Sequence, residues 1–135
     1  MVKNKNIEDL RSIAKEVRMN AYAPYSGFKV GAVIVTKQGK IYTGVNVENA
    51  SYGLTNCAER TAIFKAVSEG EREFEMIVIV ADTHRPVSPC GACRQVMSEF
   101  GNFKVVLANT KGDYLETDVN SLLPYSFDKE DFNEK

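Results

Sequence analysis

The stretch FEMIVIVADTHRPVSPCGACRQV (residues 74–96) places a continuous apolar run, a loop and a helix start next to one another. Residues 74–81 are apolar and rich in β-branched side chains, as in a strand that is buried on both faces. The next eight residues are typical of a loop, and Pro89 is well placed to open a helix that begins near Cys90 and runs to about residue 100. The stretch therefore predicts a strand that leads through a loop into a helix, with two cysteines in the first turn of that helix.

Helices and strands are predicted on both sides of this stretch. Apolar residues at helical spacing indicate a first helix, with Asn6 as its capping residue. Two β-branched runs joined by the turn residues KQG indicate a hairpin. The predicted elements, in chain order, are helix 6–20, strands 28–36 and 40–47, helix 57–68, strand 74–81, helix 90–100, strands 104–109 and 113–118, and a short helix or turn within 119–127. This order predicts an α/β protein, a three-layer α/β/α sandwich with a mixed five-stranded sheet, in a single domain over residues 1–135.

Composition and charge narrow the classes of partner. The net charge is −1, and no basic stripe of the kind that binds nucleic acid is present, which favours a small-molecule partner. The N-terminus lacks an apolar core of signal-peptide length, and the longest apolar runs, VGAVIV (30–35) and MIVIVA (76–81), are too short to span a bilayer. We therefore expect a cytoplasmic protein without a membrane partner. In that reducing environment, three cysteines are expected to be metal ligands, catalysts or buried apolar residues.

The three cysteines have the spacing of a zinc site. Cys57 and Cys90 are each expected at a helix N-terminus, where the helix dipole lowers the pKa of a thiol. Cys93 follows Cys90 by three residues, so one helical turn directs both sulfurs to one side. Three thiolates leave an open fourth position on a tetrahedral zinc ion, as in catalytic sites. Because three thiolates exceed the charge of Zn²⁺, Arg60 and Arg94 are candidates for a compensating cation.

Two other interpretations remain open at this point. His84, the single histidine, lies in the loop six residues before Cys90 and could close a structural Cys₃His site. Such a site would indicate a zinc-stabilised binding module rather than an enzyme. Alternatively, CGAC (90–93) could be a redox pair like that of thioredoxin, although this role leaves Cys57 and Glu59 unexplained.

Several motifs of the chain resemble those of the cytidine deaminases. Zinc deaminases carry an H-x-E…P-C-x-x-C signature, and some use three cysteine ligands. The matching motifs in this sequence are CAE (57–59), PCGACRQ (89–95), MNAYAPYSGFKVGA (19–32), GVNVENASYG (44–53), NCAERTAIFKAVSEG (56–70) and LLPYSF (122–127). The chain is similar over nearly its whole length to the short, homotetrameric members of the family. The resemblance implies hydrolytic deamination of cytidine and 2′-deoxycytidine to uridine and 2′-deoxyuridine, with release of ammonia, in pyrimidine salvage.

The resemblance also implies a catalytic centre. One zinc ion per subunit would be held by Cys57, Cys90 and Cys93, and it would polarise a water molecule for attack on C4 of the base. Glu59 would take the proton of that water, pass it to N3 of the pyrimidine and assist the departing amine.

Other residues are assigned to the substrate or to the thiolates by the same resemblance. Asn46 and Glu48 match the family's ribose-binding pair and would bind the sugar 3′-hydroxyl. Arg60 and Gln95 would orient or neutralise the thiolates. The remaining implied substrate contacts are the rings of Phe28, Tyr52 and Phe127, the backbone N–H of Ala58 and the backbone carbonyl of Ser88. The same resemblance implies a homotetramer with shared active sites, in which the Phe127 ring would reach the base of a neighbouring subunit.

Other zinc deaminases are the nearest alternative within this class of enzyme. Relatives that act on nucleotides, free bases or tRNA mostly carry His-Ala-Glu where this chain has CAE (57–59). Deaminases that edit polynucleotides also need a basic groove to bind the strand. Blasticidin S deaminases share Cys-Ala-Glu, but they are not expected to retain NVEN (46–49) together with SGFKVGA (26–32). The ribose-facing loop therefore favours cytidine.

Overall fold

The computed structural model describes residues 6–133. Its helices are α1 (Ile7–Val17), α2 (Ala58–Ser68), α3 (Gly91–Ser98), α4 (Val119–Leu122) and α5 (Glu130–Asn133). Its strands are β1 (Val30–Thr36), β2 (Ile41–Val45), β3 (Phe74–Ala81), β4 (Lys104–Asn109) and β5 (Tyr114–Asp118). Short 3₁₀ turns follow α1 (Arg18–Asn20) and precede α2 (Tyr52–Leu54). Within the described range, no helix has the length and apolar character that a membrane span requires.

The five strands form one mixed sheet in the order β2-β1-β3-β4-β5. β3 and β4 are parallel, with Val78 opposite Val106, and the other neighbouring strands are antiparallel. Parallel strands need a crossover connection, and here that connection contains α3. The strand–loop–helix unit predicted from residues 74–96 is therefore the crossover at the centre of the sheet.

Helices cover both faces of this sheet. On one face, Leu10 and Ala14 of α1 are buried against valines of β1, β3 and β4. On the other face, α2 and α3 contribute Ala62 and Met97 to a larger buried cluster. Removal of this apolar surface from water is the main favourable term in folding. The predicted three-layer α/β/α sandwich with a mixed five-stranded sheet is confirmed, and α5 is an addition to the predicted elements.

The first turns of α2 lie very close to β2 at Gly44. A Cβ atom at this position would lie 2.5 Å from the Ala58 carbonyl oxygen and 2.4 Å from the Ala62 nitrogen. Glycine is therefore the residue that permits this approach of helix and strand. Because Cys57 is the residue directly before α2, this contact also determines where the Cys57 sulfur lies.

Candidate metal centre and active site

Two helix starts supply the cysteines. Cys57 is the N-cap of α2 and Cys90 is the N-cap of α3, with φ −78° and ψ 158° at the first and φ −72° and ψ 169° at the second. Neither side chain caps its own helix. Cys93 lies in the first turn of α3 and is fully buried. Both N-cap sulfurs are therefore free to bind a shared ligand with the sulfur of Cys93.

The three sulfur atoms form a compact group, called here the thiolate cluster (Cys57, Cys90 and Cys93). Cys90 Sγ lies 3.7 Å from Cys57 Sγ and 3.5 Å from Cys93 Sγ. Thiolates bound at about 2.3 Å to a tetrahedral zinc ion lie about 3.8 Å from one another. The donor atoms and their spacing therefore fit one zinc ion, and a fourth position is left for water.

This geometry does not favour the two other interpretations of the cysteines. Among residues 6–133, the group of mutually close metal-ligating atoms contains the three cysteines and does not contain His84. His84 is exposed, and its backbone carbonyl accepts a hydrogen bond from Asn109 Nδ2 at 3.1 Å. A redox pair would need only two sulfurs, whereas Cys57 and Cys93 lie at similar distances from Cys90.

Arg60 brings positive charge to the thiolate cluster. Its Nη2 donates to Cys57 Sγ at 3.5 Å. Hydrogen bonds from the Cys93 thiol and from Arg60 lower the pKa of the Cys57 thiol to about 5 in the metal-free chain. The same hydrogen bond to Cys57, together with burial, raises the pKa of Cys93. The low pKa of Cys57 favours the thiolate form that a metal ion requires.

Glu59 is a buried carboxyl beside the thiolate cluster. It is the second residue of α2, and only 5% of it is exposed. Burial raises the pKa of its carboxyl to about 7, against the opposing effect of a hydrogen bond from its own backbone N–H. Cys57 raises this pKa further, so the carboxyl lies within electrostatic reach of the cluster. A carboxyl with a pKa near neutrality can both accept and donate a proton at physiological pH.

Arg94 binds the polypeptide on both sides of α3. Its Nε donates to the Pro89 carbonyl and its Nη1 to the Leu122 carbonyl, each at 2.9 Å, and its Nη2 donates to Ser88 Oγ at 2.8 Å. The sequence made Arg94 a candidate for a compensating cation, but the hydrogen bonds it makes within residues 6–133 go to oxygen atoms. Arg94 therefore joins the loop before Cys90 to the last residue of α4.

Gln95 contacts the C-terminal segment, and the role beside the thiolates that the resemblance implies for it stays a prediction. Its Nε2 donates to the Phe127 carbonyl at 2.7 Å. Phe127 is 59% exposed, and its ring packs edge-on against Phe132 with centroids 5.4 Å apart. Contact between Phe127 and a neighbouring subunit stays a prediction.

Asn46 is the first member of a second polar group, called here the polar pair (Asn46 and Glu48). Asn46 is buried, and its Oδ1 accepts a hydrogen bond from the Val30 N–H at 2.8 Å. Its Nδ2 donates to the Phe28 carbonyl at 2.7 Å. An amide side chain offers two N–H donors and two acceptor lone pairs. One N–H and one lone pair of Asn46 therefore remain for a ligand.

Glu48 is held by the turn that precedes β1. Its Oε1 accepts hydrogen bonds from the N–H groups of Tyr25 at 2.9 Å and Ser26 at 3.1 Å. Its Oε2 accepts a hydrogen bond from the Ser26 hydroxyl. This hydroxyl is the largest of the influences that hold the pKa of Glu48 below its usual range. One lone pair of Oε2 therefore remains on an ionised, acceptor-only carboxylate.

Backbone pairing joins the polar pair to the thiolate cluster. Val47 lies between Asn46 and Glu48, and it exchanges two backbone hydrogen bonds of 2.9 Å with Asn56. Asn56 is the residue directly before Cys57. The two groups are therefore adjacent, although their sequence motifs lie in different elements.

The other residues predicted to contact substrate differ in exposure. Phe28 is 42% exposed and Tyr52 is 79% exposed, whereas Ala58 is fully buried. Ala58 is the first residue of α2, where a backbone N–H has no partner within the helix. Ser88 is exposed in the loop before Cys90.

A cavity of about 230 Å³ lies beside the polar pair. The rings of Tyr25 and Tyr52 meet edge-on at its wall, with centroids 6.4 Å apart. Its lining residues are Tyr25, Ser26, Glu48, Asn49, Tyr52 and Thr55. A small polar ligand can therefore approach Glu48 between aromatic side chains.

Ser26 is a contact residue that the sequence motifs did not single out. A serine before a glycine is ordinary turn chemistry, so its residue type carries no functional signal. Its partner Glu48 lies 22 residues further along the chain. Only the placement of two loops side by side shows the contact.

The chain matches the family model described as "Cytidine and deoxycytidylate deaminase zinc-binding region" over residues 4–109. It is 55% identical over 130 residues to a cytidine deaminase of Sporosarcina psychrophila, covering 95% of this chain and 96% of that protein. It is 57% identical over 123 residues to a cytidine deaminase of Halalkalibacterium halodurans, covering 90% and 93% of the two chains. A crystal structure of cytidine deaminase from Burkholderia pseudomallei superposes with a TM-score of 0.88 at 55% identity, over 90% of this chain and 99% of that chain.

Proposed function

The chain belongs to the family of zinc-binding cytidine and deoxycytidylate deaminases, and we propose that it converts cytidine and 2′-deoxycytidine to uridine and 2′-deoxyuridine. The observation that carries this proposal is the buried Glu59 carboxyl beside a cluster of three sulfurs. Zinc is the cofactor, with one ion per subunit. When bound, zinc polarises a water molecule and brings its pKa towards neutrality.

Glu59 is the residue that moves protons in this reaction. Its carboxylate accepts a proton from the attacking water and delivers it to N3 of the pyrimidine. The C4–O bond forms, Glu59 passes the second proton of the attacking water to the amino group, and the C4–N bond breaks as ammonia leaves and C4 becomes the carbonyl of the uracil base. Burial of Glu59 favours this role because it removes bulk water that would compete for the proton and brings the two protonation states close in energy. The Arg60 guanidinium donates a hydrogen bond to the Cys57 thiolate and compensates its negative charge.

The polar pair recognises the sugar of the substrate by hydrogen bonds. Asn46 has one N–H left, and Glu48 Oε2 has one lone pair left, after their contacts within the protein. A hydroxyl group can donate to Glu48 and accept from Asn46 at the same time, whereas a group that only donates or only accepts satisfies one of them. The 3′-hydroxyl is present in both cytidine and 2′-deoxycytidine. This match supports a nucleoside substrate over a free base.

A nucleotide substrate is less well supported. No arginine or lysine is among the lining residues of the cavity beside Glu48. Phosphate groups are bound by cationic side chains or by helix N-termini, and the Glu48 carboxylate would repel a phosphate placed close to it. This lining supports the uncharged nucleoside as the substrate.

The base lies between the thiolate cluster and the polar pair. Phe28, whose carbonyl is held by Asn46, offers an aromatic face. The Ala58 N–H and the Ser88 carbonyl offer hydrogen bonds to O2 and to the amino group. Phe127 and Tyr52 complete the base site in the assembled enzyme. Gln95 contributes by holding the Phe127 backbone.

The assembly is a homotetramer with shared active sites. Large apolar side chains are exposed on the single chain, including Tyr52, Leu54 and Phe127 at 79%, 70% and 59%. Contiguous exposed apolar side chains mark protein interfaces, and Tyr52 and Leu54 lie in the same 3₁₀ turn. A monomer in sedimentation velocity at micromolar concentration would contradict this assembly. The reduced thiols that zinc requires favour a cytoplasmic location, where the enzyme would serve pyrimidine salvage.

The test is turnover of cytidine by the zinc-loaded protein, followed by the change in ultraviolet absorbance as uridine forms. Glu59→Gln keeps the shape of the side chain and removes its acid–base function, so we expect kcat to fall by about 10²- to 10⁴-fold with the zinc content unchanged. Glu75→Gln is the matched control because Glu75 is exposed on β3, and its activity should equal that of the wild type.

Two results would contradict the proposal. Full activity of Glu59→Gln would remove Glu59 from the acid–base role. Absence of turnover by wild-type protein that contains one zinc ion per subunit would show that cytidine is not the substrate.

A further inference from the structure

The Ser26 hydroxyl lies between two residues that the proposed function places on opposite parts of the substrate. It donates a hydrogen bond to Glu48 Oε2 and accepts one from the Phe28 N–H at 3.0 Å. Glu48 is assigned to the sugar and Phe28 to the base. One hydroxyl group on an exposed turn therefore connects the sugar contact with the base contact.

Each oxygen of the Glu48 carboxylate is fixed in a different way. Oε1 accepts hydrogen bonds from two backbone N–H groups, those of Tyr25 and Ser26. Within the described part of the chain, the hydrogen bond made to Oε2 comes from the Ser26 hydroxyl. Without that hydroxyl, the Glu48 carboxylate is free to rotate about the position of Oε1. The remaining lone pair of Oε2 then no longer points in a fixed direction.

The sugar contact depends on that direction. Asn46 is held by hydrogen bonds from the Val30 N–H and to the Phe28 carbonyl, and within the described residues none of its own hydrogen bonds goes to Ser26. A sugar hydroxyl must therefore accept a hydrogen bond from the Asn46 N–H and donate one to Glu48 Oε2. Ser26 determines where the lone pair of Oε2 points. Preorganisation of this kind raises affinity because the ordering cost is met before the ligand binds.

We propose that Ser26 is a positioning residue that orients the Glu48 carboxylate for the sugar 3′-hydroxyl and thereby sets the enzyme's selectivity for nucleosides that carry this group. The proposal rests on the proposed function, since Glu48 must be the sugar contact. The Ser26 hydrogen bond also favours the ionised form of Glu48, which accepts hydrogen bonds and cannot donate them.

The test is a cycle of two ligands and four proteins, measured by titration calorimetry on the zinc-loaded enzyme. The ligands are uridine and 3′-deoxyuridine, which differ only in the 3′-hydroxyl. The proteins are wild type, Ser26→Ala, Ser26→Thr and Ser68→Ala. We expect Ser26→Ala to weaken uridine binding by about tenfold and to change 3′-deoxyuridine binding by less than about twofold. Ser26→Thr keeps the hydroxyl and should retain the wild-type ratio of the two affinities.

Ser68→Ala is the matched control because Ser68 also makes one local hydrogen bond, to the Lys65 carbonyl at 2.7 Å, at the far end of α2. Its two affinities should equal those of the wild type. Zinc content and thermal unfolding of every variant show whether it is folded. Ser26→Gly removes the same hydroxyl and replaces Ser26→Ala in the cycle if the alanine variant does not fold.

Three outcomes would overturn the role of Ser26. Equal losses for uridine and 3′-deoxyuridine would show that Ser26 only shapes the turn. Unchanged affinity for both ligands would show that Glu48 needs no positioning. Equal affinity of the wild type for the two ligands would show that the protein does not recognise the 3′-hydroxyl. Failure of the proposed function is a separate result, because wild-type turnover of cytidine is measured without Ser26 variants and the binding cycle does not require turnover.

Discussion

The thiolate cluster and the polar pair are adjacent in the fold, but they are held in place by different means. The cluster is placed by backbone structure, since Cys57 and Cys90 cap two helices and Cys93 follows within the first turn of α3. The polar pair is placed by side-chain hydrogen bonds to the turn before β1 and to the first residue of β1, over separations of 16 to 23 residues. A change in helix packing should therefore affect the metal centre first, and a change in loop hydrogen bonding should affect sugar recognition first.

Gly44→Ala tests the backbone half of this comparison and should have the largest effect. The new Cβ meets the Ala58 carbonyl oxygen and the Ala62 nitrogen, which are backbone atoms that can move only with α2. We expect the free energy of unfolding to fall by about 3 kcal/mol. We also expect kcat to fall further than uridine affinity, because α2 carries Glu59 and follows Cys57. Denaturant unfolding, zinc content and steady-state kinetics measure these quantities.

Gly53→Ala is the control for this substitution. Among the described residues, and apart from its neighbours in the chain, no heavy atom lies within 4 Å of the place that a Cβ atom of residue 53 would take. The change in unfolding free energy should therefore stay within about 0.5 kcal/mol. If Gly44→Ala unfolds like Gly53→Ala and keeps its kcat, the close approach of α2 to β2 does not place the metal centre.

The same contrast explains how far the sequence could predict this molecule. Apolar spacing, the Asn6 cap and the glycine after α2 are local signals, and the elements that they predicted are present in the predicted order. The spacing of Cys90 and Cys93 was also a local signal, whereas the approach of Cys57 to Cys90 over 33 residues depends on how α2 and α3 pack. The contact between Ser26 and Glu48 and the contact between Gln95 and Phe127 depend on which loops meet, and residue type alone does not encode that.

Arg94→Lys tests a mixed case, in which a side chain holds a loop of the metal centre. Lysine keeps the charge but cannot bind the Pro89 carbonyl, the Leu122 carbonyl and Ser88 Oγ together, because it lacks the planar fork of arginine. We expect a loss of about 1–2 kcal/mol in unfolding free energy. The KM for cytidine should rise more than kcat falls, since Ser88 lies in the loop that is loosened.

Arg85→Lys is the matched control because Arg85 is exposed in the same loop region. Its unfolding free energy and KM should stay close to those of the wild type. A lower zinc content in Arg94→Lys, without a change in KM, would contradict the assignment of Arg94 to substrate positioning and would make it a support of Cys90 instead.

Asp118 lies outside both the thiolate cluster and the polar pair. Its substitution should have the smallest effect of these changes, seen only in how the free energy of unfolding depends on pH. Its side chain caps α4 by accepting a hydrogen bond from the Ser121 N–H at 2.8 Å, and this bond lowers the pKa of Asp118. A carboxyl whose pKa is lower in the folded state adds stability above its unfolded pKa of about 4, and this stability is lost as the pH falls through the folded pKa. Asp118→Asn keeps an acceptor but does not titrate, so the unfolding free energies of variant and wild type should converge as the pH falls from 7 to about 3. Zinc release at low pH affects both proteins alike and cancels in this difference. A constant difference over the whole range would show that the charge of Asp118 does not contribute to the cap.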